Sequence, residues 1–353
     1  MPLTHANIID KIEMLLQDSS NAIFAAATEL NDRLQDALRD FARYRPHIVR
    51  VPYTVESRTG TATSTTASAL VDATEVQFLA GDVGKVIHNT TDNTWAIVTA
   101  YVSTSQLTLS RDIMVSGESY EMYNKDCTSN KQINIEDVED YLWVEKLEFP
   151  IGTEREVDSI HGSILTIGID DNPDDTKDAD ADKIVHVYFA KRHKVSQLTD
   201  LAAAVNNGAG YSESDTSIVL DALQDGTATI EEDQEFTIAG MRQIYTVTAD
   251  ATIGTNAATI YFYPGLEGAV LDNAVVTFTL STLDRILEDL IASYVAALAS
   301  MSKSTAYIDK VTKGGANVSG GFMSWGEREF YRIKAELMSL AKPAVAKSLS
   351  RQL

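Results

Sequence analysis

The sequence predicts an α+β protein in which the two ends of the chain form a helical bundle and the middle forms β structure. Apolar residues recur at helical spacing near both termini, whereas the middle alternates apolar and polar residues between Gly- and Asp-containing turns. We expect a helical core from residues 1–47 and 281–353, a first inserted antiparallel β domain at 48–130, a small central β-sheet at 131–196, and a second inserted β domain at 197–280.

Two apolar stripes predict the N-terminal helices. A short helix over Asn7–Gln17 places Ile8 and Ile12 on one face, with Thr4 or Asn7 as its N-cap. A second helix, over Asn21–Tyr44, repeats apolar residues at steps of four and three: Ile23, Ala27, Leu30, Leu34, Ala37 and Phe41. This spacing predicts a core helix of a bundle and leaves open additional packing against a second copy of the chain.

The first β domain follows a Thr/Ser-rich tract at Thr59–Ala69. Short alternating runs, separated by Gly-Asp, Thr-Asp-Asn and Ser-Thr-Ser turns, predict small antiparallel strands. We expect its core to contain apolar residues of neighbouring strands: Val83, Val86, Trp95, Ile97, Val98, Leu107 and Leu109.

The central segment contains three predicted strands and an acidic loop. The strands are expected at Tyr141–Leu147, Ile164–Ile169 and Ile184–Phe189. The loop Asp170–Asp182 contains seven Asp and one Lys, so it repels itself and should be solvated.

That loop begins like a calcium site. Asp178, Asp180 and Asp182 match the first three oxygen ligands of an EF-hand. Lys183 and Phe189 then stand where the motif requires Gly and a bidentate Glu, so the sequence predicts no specific calcium site. Loose binding of divalent ions by the carboxylates stays open.

The second β domain is predicted from alternating runs over Asp215–Leu280, after a helical turn or linker at Gln197–Tyr211. Its order of strands and turns resembles that of the first β domain, which indicates two modules of like architecture, duplicated or convergent.

The C-terminal end returns to helix. One stripe is formed by Leu283, Leu287, Leu290, Tyr294 and Leu298. A mobile loop is expected at Lys313–Gly321, and a capping box at Ser324–Glu327 is predicted to open a last helix with Phe330, Ile333, Leu337 and Leu340 inward. Residues 303–353 contain nine Lys/Arg and four Asp/Glu, which favours docking to an acidic neighbour or is the ordinary charge of a solvated helix.

No pattern in the chain predicts chemistry. The phosphate-binding, nucleophile-elbow, dinucleotide-binding and HExxH motifs do not occur, and Cys127 is a single cysteine without a partner. His186 and His193 are the closest pair of the six histidines, without a metal-ligand spacing. We therefore predict no catalytic, cofactor-binding or metal-binding residue and no enzyme activity.

Composition sets further limits. The chain has 51 Asp and Glu against 29 Lys and Arg, a net charge of −22, which disfavours general nucleic-acid binding but suits a wall past which DNA slides. The low cysteine content fits assembly in a reducing cytoplasm. We see no signal peptide and no apolar run long enough to cross a membrane.

The central segment carries a family resemblance. Residues 133–152 (INIEDVEDYLWVEKLEFPIG), HGSILTIGI and VHVYFAKRHKV resemble a sheet of tailed-bacteriophage virion proteins, and in particular of head–tail adaptor (connector) proteins. GDVGKVIHNTTDNTWAIVTAYVSTSQLTLS and EFTIAGMRQIYTVTADA, with the later PGL, are similar to β inserts of phage structural proteins. The inserts make this chain longer than a compact adaptor.

The resemblance implies a homo-oligomeric ring between portal and tail, expected to be a dodecamer in the neck of the virion. Its helices would pack between subunits, genomic DNA would pass through the lumen without specific binding, and the basic C-terminal segment would reach the portal protein. Two alternatives stay open: a tail-tube, tail-terminator or baseplate component, and a module that binds carbohydrate or a cell surface. Tyr261, Phe262 and Tyr263 are the aromatic cluster that bears on the second alternative.

Overall fold

The computed structural model describes residues 3–18, 20, 23–170, 183–224, 228–306 and 318–341. Contacts divide the chain into two compact units. Unit 1 combines Met1–His47 with Ala190–Leu353, and unit 2 is Ile48–Phe189. The chain therefore leaves unit 1 after its first helices and returns to it near the end of the central segment.

The described residues contain four α-helices, which all belong to unit 1. They are α1 (His5–Leu16), α2 (Asn31–Ala42), α3 (Arg285–Ala306) and α4 (Val318–Leu340). A wider π-type turn at Ala26–Leu30 leads directly into α2. The single helix predicted over Asn21–Tyr44 is therefore wrong in its first part. The Thr4 hydroxyl accepts a hydrogen bond from the Asn7 amide at 3.0 Å, which confirms Thr4 as the N-cap of α1.

Twenty strands are found in the described part of the chain. Those before residue 192 are β1 (His47–Thr54), β2 (Thr59–Thr61), β3 (Ala69–Val71), β4 (Val86–Asn89), β5 (Thr94–Ser103), β6 (Gln106–Leu109), β7 (Ser119–Tyr123), β8 (Gln132–Asn134), β9 (Trp143–Glu148), β10 (Glu154–His161), β11 (Ile164–Gly168) and β12 (Ile184–Lys191). The later ones are β13 (Ala202–Val205), β14 (Ser217–Asp221), β15 (Thr229–Ile230), β16 (Glu235–Ile238), β17 (Tyr245–Val247), β18 (Ala251–Thr252), β19 (Ala258–Tyr263) and β20 (Val275–Phe278). The three strands predicted in the central segment are confirmed as β9, β11 and β12 within one or two residues.

The helices of unit 1 form a group around α3. Helices α1, α2 and α4 each pack against α3, whose inward residues Leu287, Ile291 and Val295 are fully buried. Tyr294 of α3 links two neighbours: its ring lies 5.3 Å from that of Phe41 and 5.3 Å from that of Phe330. Burial of each large apolar side chain contributes about 1.5–3 kcal/mol, so this shared core holds the helix group together.

A closed β-barrel forms the other part of unit 1. Its strands follow the order β13-β14-β19-β17-β16-β20, and β20 pairs with β13 to complete the ring. The interior holds aromatic residues from four strands: Phe236, Tyr245, Phe262 and Phe278. Their ring centroids lie 5.3 to 5.8 Å apart in the contacting pairs, the spacing of a packed aromatic core.

Unit 2 contains two six-stranded sheets. One has the order β2-β7-β4-β5-β6-β3 and is built by the first β module. The other has the order β1-β12-β9-β10-β11-β8, so the strand that follows α2 joins strands from the central segment. The ends of β1 and β12, at His47 and Ala190–Lys191, belong to unit 1.

The predicted fold class, a helical bundle with a small central sheet and two inserted β domains, is wrong. The described part of the chain is mostly β-sheet, with two six-stranded sheets and a closed barrel in addition to four α-helices. The error arises because local alternation identifies strands but not their partners: β1 lies more than 100 residues from β12 in sequence and still pairs with it. The proposed four domain boundaries stay a prediction.

The helical turn or linker predicted at Gln197–Tyr211 is also wrong, because this segment contains β13. Its alanines have high helix propensity in isolation. In the barrel, however, Ala202, Ala203 and Ala204 pair with Thr277, Val276 and Val275 of β20. Pairing with a distant strand thus overrides local propensity.

The last helix begins earlier than predicted. Helix α4 starts at Val318, so Ser324 lies inside it, and its hydroxyl donates to the Gly321 carbonyl at 3.3 Å instead of capping. The end of the predicted loop Lys313–Gly321 is helical from Val318 onward, and residues 313–317 lie outside the described residues. Within α4, Gly326 allows a close approach to α3, because a Cβ atom at this position would lie 2.7 Å from Cγ of Met301.

The core predicted for the first β module is correct in part. Val98, Leu107 and Leu109 are buried together, as expected. Ile97 and Val83 are exposed, which contradicts the prediction. Strand β5 has apolar residues on both faces, and the side that is buried contains Ala96 and Val98, so alternation alone points to the wrong face for Ile97.

Candidate functional site

An apolar stripe runs along the outer face of α4. Tyr331 and Met338 are 66% and 55% exposed, whereas Ile333 and Leu337 on the other side of the helix are buried against α3. Tyr331 and Met338 are seven residues apart, which is about two helical turns, so they align on one side. Met323 is 40% exposed, but it precedes Tyr331 by eight residues and so lies about 80° round the helix, towards the buried face. We call Tyr331 and Met338 the α4 stripe.

Further apolar exposure occurs on other helical segments of unit 1. Met14 and Leu15 at the end of α1 are 72% and 44% exposed, and Ile23 precedes the π-type turn with 38% exposure. Single exposed apolar residues are ordinary on a protein surface, but several on one small helix group are typical of surfaces that are covered by another protein.

A buried histidine joins three segments of unit 1. His193 lies in the chain between β12 and the barrel, and the residue is 6% exposed. Its Nε2 atom lies 2.7 Å from the Arg45 carbonyl oxygen, just after α2. Its Nδ1 atom lies 3.1 Å from the Thr282 carbonyl oxygen, just before α3. We call His193, Arg45 and Thr282 the histidine joint.

Backbone hydrogen bonds reinforce this joint. The Thr282 amide donates to the Lys194 carbonyl at 3.0 Å, and the Ser196 amide donates to the Leu280 carbonyl at 2.8 Å. Val195 and Ser281 form an antiparallel bridge between the same two segments. The segment that enters the barrel and the segment that leaves it are therefore hydrogen-bonded to each other beside His193.

A second histidine stands next to the joint. His47 and His193 have ring centroids 6.1 Å apart, and His47 Nε2 lies 2.6 Å from a carboxylate oxygen of Glu235 on β16. Sequence reasoning compared His193 with His186 instead, because these two are close in sequence. His186 lies in unit 2, where its Nδ1 is 3.8 Å from Glu148. Local spacing cannot identify His47 as the neighbour of His193, because 146 residues separate the two in sequence.

Unit 2 contains a buried cluster of four charges. Arg58 donates two hydrogen bonds to Glu56, at 2.9 and 2.7 Å, and also binds Asp82. Lys85 contacts both carboxylates from the side nearer to solvent. Burial raises the pKa of Glu56, but the hydrogen bonds and charges of Arg58 and Lys85 outweigh it and lower this pKa to about 2. Because its charges compensate each other, the cluster has a structural role: it links the segment of Glu56 and Arg58 to that of Asp82 and Lys85.

A cleft of about 400 Å³ lies beside that cluster in unit 2. Its polar wall residues contact each other: the Tyr53 hydroxyl donates to Asp137 at 2.7 Å, Lys125 pairs with Glu136, and the Asn124 amide donates to the Thr54 carbonyl at 2.9 Å. These groups are already engaged, so the cleft presents no set of converging polar atoms for a ligand.

The aromatic residues give little support to carbohydrate binding. Tyr261 is exposed, but Phe262 and Tyr263 are buried in the barrel. In the first β module, His88 and Trp95 stack with ring centroids 3.9 Å apart and planes tilted by 12°. Each ring of that pair covers one face of the other, so these faces are closed to a sugar.

The sequence also singled out the acidic loop, Cys127 and possible metal ligands. Asp171–Asp182, which contains the three EF-hand-like aspartates, lies outside the described residues. Cys127 is buried, and burial raises the pKa of its thiol to about 12. In the part of the chain that the structure describes, no group of three or more His, Cys, Asp or Glu side chains is arranged to hold a metal ion. None of the helices traced there is long and apolar enough to span a membrane.

Comparison with known proteins gives no relative. No family model matches the sequence, no curated protein matches it, and no solved structure matches the fold. The function therefore has to be argued from the residues of this chain.

Proposed function

We propose that this chain is a structural subunit of a tailed-phage virion, a head–tail adaptor that forms a homo-oligomeric ring between portal and tail. The observation that carries the proposal is the α4 stripe. Tyr331 and Met338 align on the outer face of a helix of 23 residues whose inner face is already buried in its own subunit. A helix with two apolar faces is typical of a protein that packs against a further chain.

The energetics support association through this face. Covering a large apolar side chain contributes about 1.5–3 kcal/mol, so the two stripe residues of each subunit offset part of the entropy lost on association. Charged residues share this side of α4: Lys334 lies between Tyr331 and Met338, and the exposed Glu327 lies one turn before Tyr331.

The charge of the chain supports the role of a conduit. A net charge of −22 per subunit repels the phosphate backbone, so DNA would pass without binding. The resemblance of residues 133–152 and of the flanking β modules to phage structural proteins supports a location in the virion neck. The partners would be copies of the chain itself, expected as a dodecamer, together with portal and tail proteins.

Negative-stain imaging of the purified protein, alone and mixed with its portal protein, tests this proposal. We expect rings, or rings that appear only on the portal. A protein that stays monomeric in both samples contradicts the adaptor function. Rings that bind a tail protein and not the portal favour a tail-tube, tail-terminator or baseplate component instead.

A further inference from the structure

We propose that His193 is an acid-sensitive latch, which holds the helix group to the barrel at neutral pH and releases it in mildly acidic solution. This goes beyond the adaptor function and does not depend on it. The latch is the histidine joint, where three chain segments of unit 1 meet at one imidazole ring. These segments lead out of α2, into the barrel, and from the barrel into α3.

The hydrogen bonds of the joint define its neutral state. A carbonyl oxygen only accepts, so the Nε2 atom, 2.7 Å from the Arg45 carbonyl, carries the proton of the neutral ring. The Nδ1 atom then has a lone pair, and the Thr282 hydroxyl, 3.3 Å away, can donate to it. Neutral His193 thereby joins Arg45 and Thr282 with one donated and one accepted hydrogen bond.

Protonation changes this arrangement. The second N–H would donate to the Thr282 carbonyl at 3.1 Å, and the Thr282 hydroxyl would turn towards the Lys194 carbonyl, 3.3 Å away. The ring would also carry a positive charge in a site that is almost closed to water. A buried charge without an ionic partner is strongly disfavoured.

Among the described residues, the charged groups around the ring are paired with one another, and Asp284 is the carboxylate whose charge also favours protonation of His193. His47 lies 6.1 Å away and is itself bound to Glu235 of β16. Arg45 is paired with Asp284 at 2.8 Å, and Lys194 with Glu231 at 2.5 Å. The carboxylates of Asp284 and Glu231 are thus already engaged by other cations.

The direction of the pKa agrees with this geometry. Burial lowers the pKa of His193 below its ordinary value of 6.5, and His47 adds to this effect. The bonds to the Arg45 and Thr282 carbonyls and the charge of Asp284 oppose it without reversing it. A histidine whose folded pKa is lowered stabilises the fold above its unfolded pKa. This stabilisation is lost as the pH falls below about 6.5, because the exposed ring then takes up a proton that the buried ring rejects.

Local opening is the expected response. Separating the joint exposes His193 to water, where its charge is solvated, while the cores of the barrel and of the helix group stay packed. If the closed joint takes up no proton at all, acidification to pH 5 shifts the opening equilibrium by a factor of about 30, which is the upper limit for one histidine.

Hydrogen–deuterium exchange on the full chain at pH 7.5 and pH 5.5 tests the latch. After correction for the intrinsic pH dependence of exchange, we expect amides at 193–196 and 280–284 to exchange several-fold faster at pH 5.5. The variant His193→Gln retains a donor near the Nε2 position and does not titrate, so it should lose this acceleration. His161→Gln, at an exposed histidine of unit 2, is the matched control and should behave as the unaltered chain does.

Two results would overturn the proposal. One is an unaltered chain without acid acceleration in these segments, and the other is His193→Gln with the same acceleration. Should His193→Gln fail to fold, an imidazole NMR titration of the unaltered protein decides. A His193 ring that titrates below pH 6.5 supports the latch, and one that titrates at or above 6.5 contradicts it.

Discussion

At the scale of single residues, Glu56 shows how burial and charge compete in this protein. Its carboxylate is 7% exposed, and burial alone would favour the protonated form. Arg58 and Lys85 reverse this preference and lower the pKa of Glu56 from 4.5 to about 2. Ionised Glu56 therefore stabilises unit 2 above about pH 4.5, and this stabilisation is lost as the pH falls towards 2.

We expect Glu56→Gln to lower the free energy of unfolding at pH 7 by about 3 kcal/mol, because Arg58 and Lys85 then lack one of their two carboxylates. The loss should be smaller at pH 3, where the unfolded chain already binds a proton at Glu56. Urea unfolding at both pH values measures it, with the exposed Glu139→Gln as control. An equal loss at both pH values would contradict the electrostatic explanation.

The residue scale is also where the sequence was least informative. The joint of His193 with Arg45 and Thr282, and the proximity of His47, depend on chain segments that are far apart in sequence. Periodicity reports which face of an element is buried, and it contains no information on which distant element covers that face. The absence of a local motif around His193 is therefore expected.

At the scale of secondary structure elements, the strongest periodic segments were predicted correctly. The stripe of α3 and the alternation of β12 both reflect burial on a defined face, which local sequence encodes directly. Errors occurred where packing overrides local preference. Ala202–Ala204 join the barrel as a strand, and α4 continues through Gly320, Gly321 and Gly326 despite their low helix propensity.

Gly326 shows why α4 tolerates one of these glycines. A Cβ atom at this position would lie 2.7 Å from Cγ of Met301 and 2.9 Å from the Ala297 carbonyl oxygen, both on α3. Such a distance is too short for a carbon atom, so the helices approach each other at a point where only glycine fits. At Gly321, in contrast, an added Cβ meets no atom within 4 Å.

We expect Gly326→Ala to lower the free energy of unfolding by about 1–3 kcal/mol, because the new methyl group forces α3 and α4 apart. Gly321→Ala, on the same helix, should raise it by up to about 1 kcal/mol, since alanine is the better helix former and space is free. Thermal and urea unfolding of the two variants compare these effects. Equal effects of the same sign would show that α3 and α4 do not meet closely at Gly326.

At the scale of the whole molecule, the chain combines an acidic surface, mostly β structure and a helix group with exposed apolar residues. The two β modules were recognisable from alternation and turns. That one forms a six-stranded sheet and the other a closed barrel could not be predicted, because this depends on pairing between sequence-distant strands. The α4 stripe was missed for a different reason. Periodicity located the inner face of α4 at Ile333 and Leu337. Apolar residues on a second face reduce the contrast between the two sides of a helix, so the amphipathic pattern does not reveal them.

The central claim, that the chain assembles through the α4 stripe, is tested most directly by the mass of the purified particle. We expect analytical ultracentrifugation, with the portal present if it is required, to show a mass of several 38.5 kDa subunits for the unaltered chain. Tyr331→Glu combined with Met338→Glu should reduce this to a single folded subunit, because both substitutions place charge inside the interface. Ser339→Glu, which adds a charge outside the stripe, should leave the assembly intact. Assemblies of the double variant that equal those of the unaltered chain would contradict the claim.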